Sequence, residues 1–319
     1  MMNAPPYPDL TKGISVIIPV YNSASTLVEL VDRLAITLKS LNLPYELILV
    51  NDGSKDESWK LILDLRKRYE WIQGLNMMRN YGQHNALLAG IRMSHYDLAA
   101  TLDDDLQHPP EALPKLIHEL LKGHDVVYAP AREEPHGLWR GVLSRLFKIT
   151  LRIALSKDIA GKVSAYRVFK TSLRTAFETY NGPFVSVDVL LTWATTKFSS
   201  VTISHAQRKA GVSNYNLKGL FRHALTLTTG FSILPLQFAT IMGFSFTLFG
   251  MLILIYVIGR YLIEGESVAG FPFLASTIAI FSGAQMLALG IIGEYLARIH
   301  FRMMGRPTYI ISEQTRKHN

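Results

Sequence analysis

The chain contains no cysteine among its 319 residues. This absence excludes disulfide bonds and thiolate metal sites, and it is compatible with a domain that works in the cytoplasm. The ten histidines are scattered along the chain, so they indicate no zinc-binding cluster. No G-x-G-x-x-G motif follows the first apolar run, which argues against a dinucleotide-dependent oxidoreductase.

The first residues lack the apolar core of a signal peptide. The segment 1–13, MMNAPPYPDLTKG, contains three prolines and no apolar run. We therefore expect a flexible segment at 1–13, followed by a domain that stays in the cytoplasm.

Acidic residues are fewer than basic ones, and the net charge is +8. A basic balance favours anionic partners such as nucleic acid, nucleotide phosphates or acidic lipid headgroups. Because basic residues lie on both sides of the apolar segments, membrane lipid explains much of the excess, and no nucleic-acid partner is expected. Hydrophobic residues make up 49% of the chain, more than a soluble enzyme usually has, so part of the chain is expected to lie in lipid.

Two long stretches, 224–259 and 267–293, carry no charged residue. The first is longer than the roughly 20 residues that cross a bilayer, and Pro235 divides it. The predicted membrane region consists of juxtamembrane amphipathic helices over 211–234, two transmembrane helices within 235–298 and a cytoplasmic tail over 299–319.

Basic residues flank this predicted hairpin on both sides. They are Arg208, Lys209, Lys218, Arg222, Arg298, Arg302 and Arg306. The positive-inside rule then places both ends of the hairpin in the cytoplasm. The alternative is a pair of buried core helices in a soluble protein. A second basic amphipathic segment, 138–156, is either a surface helix packed on the core or a helix that lies on anionic lipid.

Short β-branched runs alternate with amphipathic segments in the first part of the chain. The predicted strands are 14–20, 45–50, 72–78, 97–102 and 125–129, and the predicted helices are 24–40, 56–70, 84–94 and 109–122. This alternation indicates an α/β domain over 14–210, with a mainly parallel sheet and helices on both faces. Polar clusters follow four of the elements, at 21–23, 51–56, 79–84 and 103–108. Ligands of such sheets bind at the carboxyl ends of the strands, so one shared site is predicted.

The acidic run Asp103-Asp104-Asp105 follows a predicted strand. In a D-x-D pair two carboxylates can converge on a hard cation such as Mg²⁺ or Mn²⁺, which can also bind a diphosphate. Such a cation would neutralise charge on a leaving nucleoside diphosphate. An acidic triplet in a loop is more often solvated surface, but its place between a strand and Leu106-Gln107-His108-Pro109-Pro110 favours the cation site.

The run from Asn51 to Asp56 follows another predicted strand. Asp and Asn side chains at a strand end can accept hydrogen bonds from a base or a ribose, and Gly53 permits a tight turn. The alternative is a simple strand-to-helix turn in which Asp56 caps the helix.

Four runs carry a family resemblance: ISVIIPVYN, VNDGSKD, RNYGQHNALLAG and DDDLQHPP. In order and spacing they resemble the nucleotide-sugar domain of family 2 glycosyltransferases. With two spans added, the chain resembles the polyprenyl-phosphate glycosyltransferases. These include dolichol-phosphate mannose synthase and the bacterial enzymes that load glucose or aminoarabinose onto undecaprenyl phosphate. The RNYGQH run is most similar to the aminoarabinose branch.

The resemblance implies a GT-A fold and an inverting transfer from a nucleotide-diphosphate sugar, UDP-linked in preference to GDP-linked, to a polyprenyl phosphate. It also implies Mg²⁺ or Mn²⁺, a bacterial inner-membrane location, a product used in cell-envelope glycans such as lipopolysaccharide, and a possible homo-oligomer.

Site residues follow from the same resemblance. The nucleotide-sugar residues are Pro19, Tyr21, Asn22, Asn51, Asp52, Arg79, Asn80, Gly82, Asp103 and Asp104. Asp103 and Asp105 would bind the metal, and Gln107 would contact the diphosphate or the sugar. The R-x-x-G-x-S-x-Y stretch supplies the lipid-phosphate residues Arg208, Ser213 and Tyr215. Arg208 suits an anionic phosphate because of its charge and its bidentate geometry.

The sequence departs from the family pattern in three places. Ser23 stands where Glu is usual, and Asn51 stands where a first Asp is common. The third departure concerns the general base, for which Asp158 is the first candidate, although another register puts Lys162 there. Asp188 is a rival that opens a predicted helix at 187–198, or is only the cap of that helix.

A strong base is less necessary for a phosphate nucleophile than for a sugar hydroxyl, because its second pKa is about 6 and it is mostly dianionic at neutral pH. Catalysis can then depend on positioning, metal assistance and cations. Sugar specificity is expected in the loops at 130–137 and 158–166.

Two other functions remain open at this stage. A processive polysaccharide synthase has a similar domain, but such enzymes typically carry Q-x-x-R-W and more spans, and Gln207-Arg208 lacks that pattern. A non-catalytic membrane adaptor would bind lipid without metal and would turn over no donor.

Overall fold

The computed structural model describes residues 13–131, 159, 161–182, 184–204, 233–264 and 270–315. Several predictions fall outside these residues. They are the flexible segment at 1–12, the basic helix at 138–156, Asp158, the juxtamembrane region up to residue 232, and Arg208, Ser213 and Tyr215.

Eight strands and seven α-helices are named in the described residues. The strands are β1 (Ile14–Val20), β2 (Tyr45–Asn51), β3 (Ile72–Met77), β4 (Leu98–Thr101), β5 (Val126–Tyr128), β6 (Arg167–Lys170), β7 (Phe198–Ser200) and β8 (Ile311–Gln314). The helices are α1 (Leu27–Ser40), α2 (Ser58–Arg68), α3 (Gln83–Met93), α4 (Leu113–Leu121), α5 (Val187–Ala194), α6 (Leu234–Glu264) and α7 (Phe271–Met303). Short 3₁₀ helices lie at Pro110–Ala112 and Thr171–Ala176.

All eight strands form one sheet in the order β7-β5-β6-β4-β1-β2-β3-β8. Strands β1 to β4 are mutually parallel, and β5 and β7 pair in parallel with each other. Only β6 and β8 run antiparallel to their neighbours. The predicted mainly parallel sheet is therefore confirmed. From β1 the chain builds outward through β2 and β3 and then returns to place β4 on the other side of β1, which makes a topological switch point between β1 and β4.

Helices cover both faces of this sheet, as predicted. Leucines and isoleucines of α1, α2 and α4 form one buried cluster with the sheet, and α3 and α5 contribute to a second cluster on the other face. The division follows strand alternation, because Val16 and Ile18 of β1 lie in the first cluster while Ile17 lies in the second. A strand covered on both faces is expected to be largely apolar, and in β1 only Ser15 is polar, with its buried hydroxyl donating to Glu46 at 2.6 Å.

Strand β8 belongs to the same compact unit as the first 216 residues, although it follows both long helices in the sequence. It pairs antiparallel with the edge strand β3 and covers that edge. Neither β8 nor β6 nor β7 was predicted, because each is only three or four residues long and none shows a clear alternation.

The second unit, Leu217–Gly305, contains α6 and α7. Two stretches of these helices, Leu234–Ile263 and Ile280–Met303, are long and apolar enough to cross a membrane, and neither is buried inside the protein. Large apolar side chains such as Phe244, Leu252 and Leu287 are more than half exposed. Such exposure is costly in water and is expected of helices that face lipid. The alternative of two buried core helices does not agree with this exposure.

Candidate active site

A cavity of about 220 Å³ opens at the switch point between β1 and β4. Its lining comes from the loops after β1, β2, β3 and β4, which is where the sequence predicted one shared site. The lining residues are Pro19, Val20, Tyr21, Asp52, Asn80, Gly82, Gln83, Asp103, Asp104 and Asp105.

The three acids after β4 are held by different parts of the site. Asp103 accepts a hydrogen bond of 2.5 Å from Gln83 Nε2. Asp104 accepts hydrogen bonds from the Tyr21 amide, at 3.1 Å, and from the Ser23 hydroxyl. The amide of Gln107 donates to Asp105 Oδ1 at 3.1 Å. These contacts connect the triplet to the β1 loop on one side and to the start of α3 on the other.

The chain leaves the triplet through an unusual turn. Leu106 has a φ of 62°, in the left-handed region that non-glycine residues rarely adopt, while its side chain is 2% exposed in the core. Such a conformation costs of order 1–3 kcal/mol and persists only where packing enforces it. Burial of the Leu106 side chain therefore fixes the direction in which the preceding acids leave β4.

The electrostatics of the triplet favour a bound cation. Burial, together with the neighbouring charges of Asp105 and Asp104, raises the pKa of Asp103 to about 7. Burial also raises the pKa of Asp104, although the hydrogen bonds from Ser23 and Tyr21 oppose the shift. Carboxylates that repel one another in a partly buried site are stabilised by a hard divalent ion.

The residues present fit such an ion when it arrives with its substrate. Within the described ranges no group of three or more His, Cys, Asp or Glu side chains has the arrangement of a complete metal site. Magnesium sites commonly use one or two carboxylates together with substrate phosphates and water. Two carboxylates of the triplet agree with that pattern, in which the substrate and water supply the remaining ligands.

Asp52 organises the loop that follows β3. Its two carboxylate oxygens accept hydrogen bonds from the amides of Tyr81, at 2.7 Å, and Gly82, at 2.8 Å. Burial raises the pKa of Asp52, and these two amides partly offset the shift. The same side chain lines the cavity. Asp52 therefore positions this loop, whether or not it also contacts a base.

Gly53 allows the same loop to pack closely. It has a φ of +66°, and a Cβ atom at this position would lie 2.5 Å from the carbonyl carbon of Arg79 and from the amide nitrogen of Asn80. Only glycine fits such an approach without displacement of backbone atoms.

Five of the predicted residues that the structure describes do not line the cavity: Asn22, Asn51, Arg79, Gln107 and Asp188. Asn22 accepts a hydrogen bond from the Lys55 amide, and Asn51 donates to Asn76 Oδ1 at 2.7 Å. The guanidinium of Arg79 lies 4.6 Å from the centre of the Tyr81 ring. These contacts hold the loops around the cavity together.

Asp56 accepts hydrogen bonds from the amides of Ala24 and Ser58, so it too connects the loop before α2 to the β1 loop.

Sequence reasoning missed Gln83 and Ser23. The position of Gln83 directly after Gly82 in the RNYGQH run was the available signal. Ser23 was noted only as a departure from the usual Glu, yet its hydroxyl contacts Asp104 across 81 residues of sequence. No local pattern predicts such a distant contact.

Asp188 lies outside the cavity and is paired within the protein. The guanidinium of Arg167, which is 2% exposed, donates to Asp188 Oδ1, and Tyr128 donates to the same oxygen at 3.0 Å. Arg167 also donates to Thr101 Oγ1 at 3.0 Å. Ser186, and not Asp188, occupies the N-cap of α5. An acid engaged in this way is unsuited to accept a proton from a substrate.

The comparisons with known proteins agree with this geometry. The model of glycosyl transferase family 2 matches residues 15–177, about half of the chain. The chain is a family 2 glycosyltransferase. The matched residues contain every loop that lines the cavity.

This glycosyltransferase also has full-length relatives among characterised proteins. It is 32% identical over 305 residues to the undecaprenyl-phosphate 4-deoxy-4-formamido-L-arabinose transferase of Yersinia pestis (strain Pestoides F), a match that covers 95% of this chain and 93% of the relative. The protein of the same name from Yersinia pseudotuberculosis serotype O:3 (strain YPIII) matches with the same identity and coverage.

Solved structures of glucosyl-3-phosphoglycerate synthase from Mycobacterium tuberculosis share the fold of this glycosyltransferase. One, in complex with Mn²⁺, UDP-glucose and phosphoglyceric acid, has a TM-score of 0.52 at 18% identity and covers 69% of this chain and 78% of that chain. Another, with Mn²⁺, UDP and phosphoglyceric acid, has a TM-score of 0.51 at 19% identity, with coverages of 69% and 77%. The predicted GT-A fold is thereby confirmed.

Proposed function

We propose that this glycosyltransferase transfers a sugar from a UDP-linked donor to undecaprenyl phosphate at the cytoplasmic face of a bacterial inner membrane. The observation that carries the proposal is the acidic cavity at the switch point in a chain that also has two exposed apolar helices. Support comes from relatives that match almost the whole chain, hairpin included, and whose names specify undecaprenyl phosphate.

Asp103 and Asp105 would hold Mg²⁺ or Mn²⁺ in the loaded enzyme. When bound, the ion would supply positive charge to the diphosphate that leaves. The neighbours of the same fold were crystallised with Mn²⁺ and uridine nucleotides, which supports both the ion and the UDP donor. The sugar named in the relatives, 4-deoxy-4-formamido-L-arabinose, is the first donor sugar to test.

The protein's own contribution is mainly positioning. Asp52 and Gly53 hold the loop that bears Asn80 and Gly82, which would lie beside the nucleotide. Gln107, whose amide donates to Asp105, would contact the diphosphate or the sugar. A phosphate monoester acceptor, with a second pKa of about 6, needs little help from a base at neutral pH. Attack from the side opposite the leaving diphosphate inverts the anomeric centre. Asp158 remains the proposed auxiliary carboxylate, and Asp188 is assigned a structural role because Arg167 neutralises it.

The acceptor phosphate would be held by Arg208, Ser213 and Tyr215 in the stretch that precedes the two apolar helices. A guanidinium provides charge and a bidentate geometry for a phosphate. The proposed acceptor brings its own membrane anchor, so this segment must meet it at the lipid surface.

The pairing of β8 with β3 supports the proposed topology. A strand that follows both apolar helices can join the catalytic sheet only if the chain crosses the membrane an even number of times between them. Two crossings satisfy this requirement, and the surrounding basic residues favour the cytoplasmic side for both ends.

The test is an assay of the full-length protein in phospholipid nanodiscs with undecaprenyl phosphate, Mn²⁺ and a panel of UDP- and GDP-sugars. We expect a lipid-linked sugar from one UDP donor, and a rate about 10²-fold lower, or lower still, from Asp105→Asn. Asp64→Asn is the matched control, because Asp64 is an exposed acid on α2 paired with Lys67. Absence of lipid-linked sugar from every donor, or full activity of Asp105→Asn, would overturn the proposal. A polymeric product would indicate a processive synthase, and metal-independent lipid binding without turnover would indicate an adaptor.

A further inference from the structure

We infer that the segment Tyr309–Thr315, which contains β8, is a positioning element of the nucleotide site and makes donor binding dependent on the part of the chain that follows the second membrane helix. The inference rests on the proposed function only in assigning the cavity to a nucleotide. Its structural core is the contact between this segment and the loop 78–82.

The segment extends the sheet along β3 from Gly74 to Met77. Leu75 pairs with Gln314, Asn76 with Glu313 and, after an irregularity in register, Met77 with Ile311. The Thr315 amide donates to the Gly74 carbonyl at 3.0 Å, and the Met78 amide donates to the Ile310 carbonyl at 3.0 Å. The last of these bonds lies at the entrance of the loop 78–82.

Side chains reinforce the pairing on both faces. The Gly74 amide donates to Thr315 Oγ1 at 2.7 Å, and the Trp59 indole donates to Glu313 Oε2 at 3.1 Å. Further along, Arg92 of α3 donates to the Tyr309 hydroxyl at 3.3 Å and lies over the Tyr309 ring. The segment thus contacts α2, β3 and α3, three elements whose neighbouring loops line the cavity.

The loop 78–82 depends on supports from outside itself. At the far end of the loop the amides of Tyr81 and Gly82 donate to Asp52. In the middle of the loop the backbone of Arg79 and Asn80 packs closely against Gly53. At its near end the support is the bond from Met78 to Ile310. Asn80 and Gly82, between these supports, line the cavity. Loss of the segment would release the near end of the loop and enlarge its motion.

The connection between this support and the membrane region is short. Helix α7 ends at Met303 and β8 begins at Ile311, so seven residues separate them. If the end of α7 moves farther than these seven residues can accommodate, β8 is displaced. Through the bond between Met78 and Ile310, the loop 78–82 is then displaced as well. Donor binding and the state of the membrane region would therefore be coupled through the covalent chain.

The experiment compares the full-length protein in nanodiscs with a variant truncated after Gly305. A variant truncated after Thr315 is the matched control, since it keeps the whole segment. Calorimetry with Mn²⁺ measures UDP affinity, and hydrogen–deuterium exchange measures protection of each loop. We expect at least a tenfold weaker UDP affinity and faster exchange at residues 78–82 in the shorter variant, with β1 and β4 still protected.

A second variant guards against a general folding defect. Thr315→Pro removes the amide that bonds to Gly74 and the hydroxyl that receives the Gly74 amide. We expect a raised donor KM with kcat and acceptor KM retained. The inference would be overturned by unchanged exchange at 78–82 in both variants, or by exchange that rises equally in β1 and β4. Failure of the full-length protein to bind UDP would overturn the proposed function instead, while the exchange measurement would still decide the role of the segment.

Discussion

Asp188 at the start of α5 and the acidic triplet that follows β4 have opposite surroundings. Asp188 is paired with the buried guanidinium of Arg167 and with the Tyr128 hydroxyl. In the part of the chain that the structure describes, the hydrogen bonds to Asp103 and Asp104 come instead from neutral groups, namely an amide side chain, a backbone amide and a hydroxyl. An acid neutralised by its own protein stabilises the fold, whereas acids in a cavity whose pKa is raised by burial favour a ligand of opposite charge.

The largest expected effect concerns stability at Asp188. Asp188→Ala should lower the free energy of unfolding by about 3–5 kcal/mol, because Arg167 would remain buried without its counter-ion. Chemical denaturation followed by tryptophan fluorescence would measure this loss. Asp125→Ala, which removes the pair with the half-exposed Lys170 and the hydrogen bond from Thr195, is the control and should cost less than Asp188→Ala. Loss of turnover in a stably folded Asp188→Asn variant would contradict the structural role assigned to Asp188.

The next effect concerns turnover at the triplet. Asp105→Asn should lower kcat by about 10²–10³-fold, equivalent to roughly 3–4 kcal/mol of transition-state stabilisation. Its stability should not fall, because the substitution removes repulsion within the triplet. Steady-state kinetics and thermal unfolding on the same preparation would measure both quantities. A variant that loses stability along with activity would assign the triplet a structural role.

Stabilisation of the folded protein by divalent ions should depend on the triplet and not on Asp188. At 100 times its dissociation constant, Mn²⁺ should stabilise the folded protein by about 2.7 kcal/mol. The Asp103→Asn/Asp105→Asn double variant should lose this stabilisation, while Asp188→Asn should keep it. Thermal unfolding with Mn²⁺ and with excess chelator makes the measurement, and an equal response in both variants would contradict it.

The smallest effect provides a reference for an exposed acid. Arg33 donates to Glu111 at 2.8 and 2.7 Å, and these bonds lower the pKa of Glu111. Because the pKa is lowered in the folded state, the contribution is present at neutral pH and is lost as the pH falls through the acidic range of a glutamate. The Glu111 side chain is 54% exposed, so Glu111→Gln should cost only about 0.2–1 kcal/mol at pH 7 and still less at pH 3. Denaturation curves at the two pH values test the sign.

The sequence predicted the residues whose roles depend on local pattern. The run from Ile14 to Val20 is apolar except for Ser15 because both faces of β1 are covered, and the triplet follows β4. The Asp188–Arg167 pair could not be predicted, because it requires β6 to enter the sheet between β4 and β5 with reversed direction. Gln83 and Ser23 escaped notice for a similar reason, since their partners lie 20 and 81 residues away in the sequence.

Strand β8 also sets an order of events during synthesis. In the proposed topology α6 and α7 form the membrane hairpin, and the ribosome makes them before it makes residues 311–314. The catalytic sheet would therefore lack its last strand while the hairpin is inserted. During that interval β3 presents unpaired backbone groups, which is the kind of surface that recruits strands from other molecules. A delay in insertion would then prolong the period in which the nascent domain is prone to aggregate.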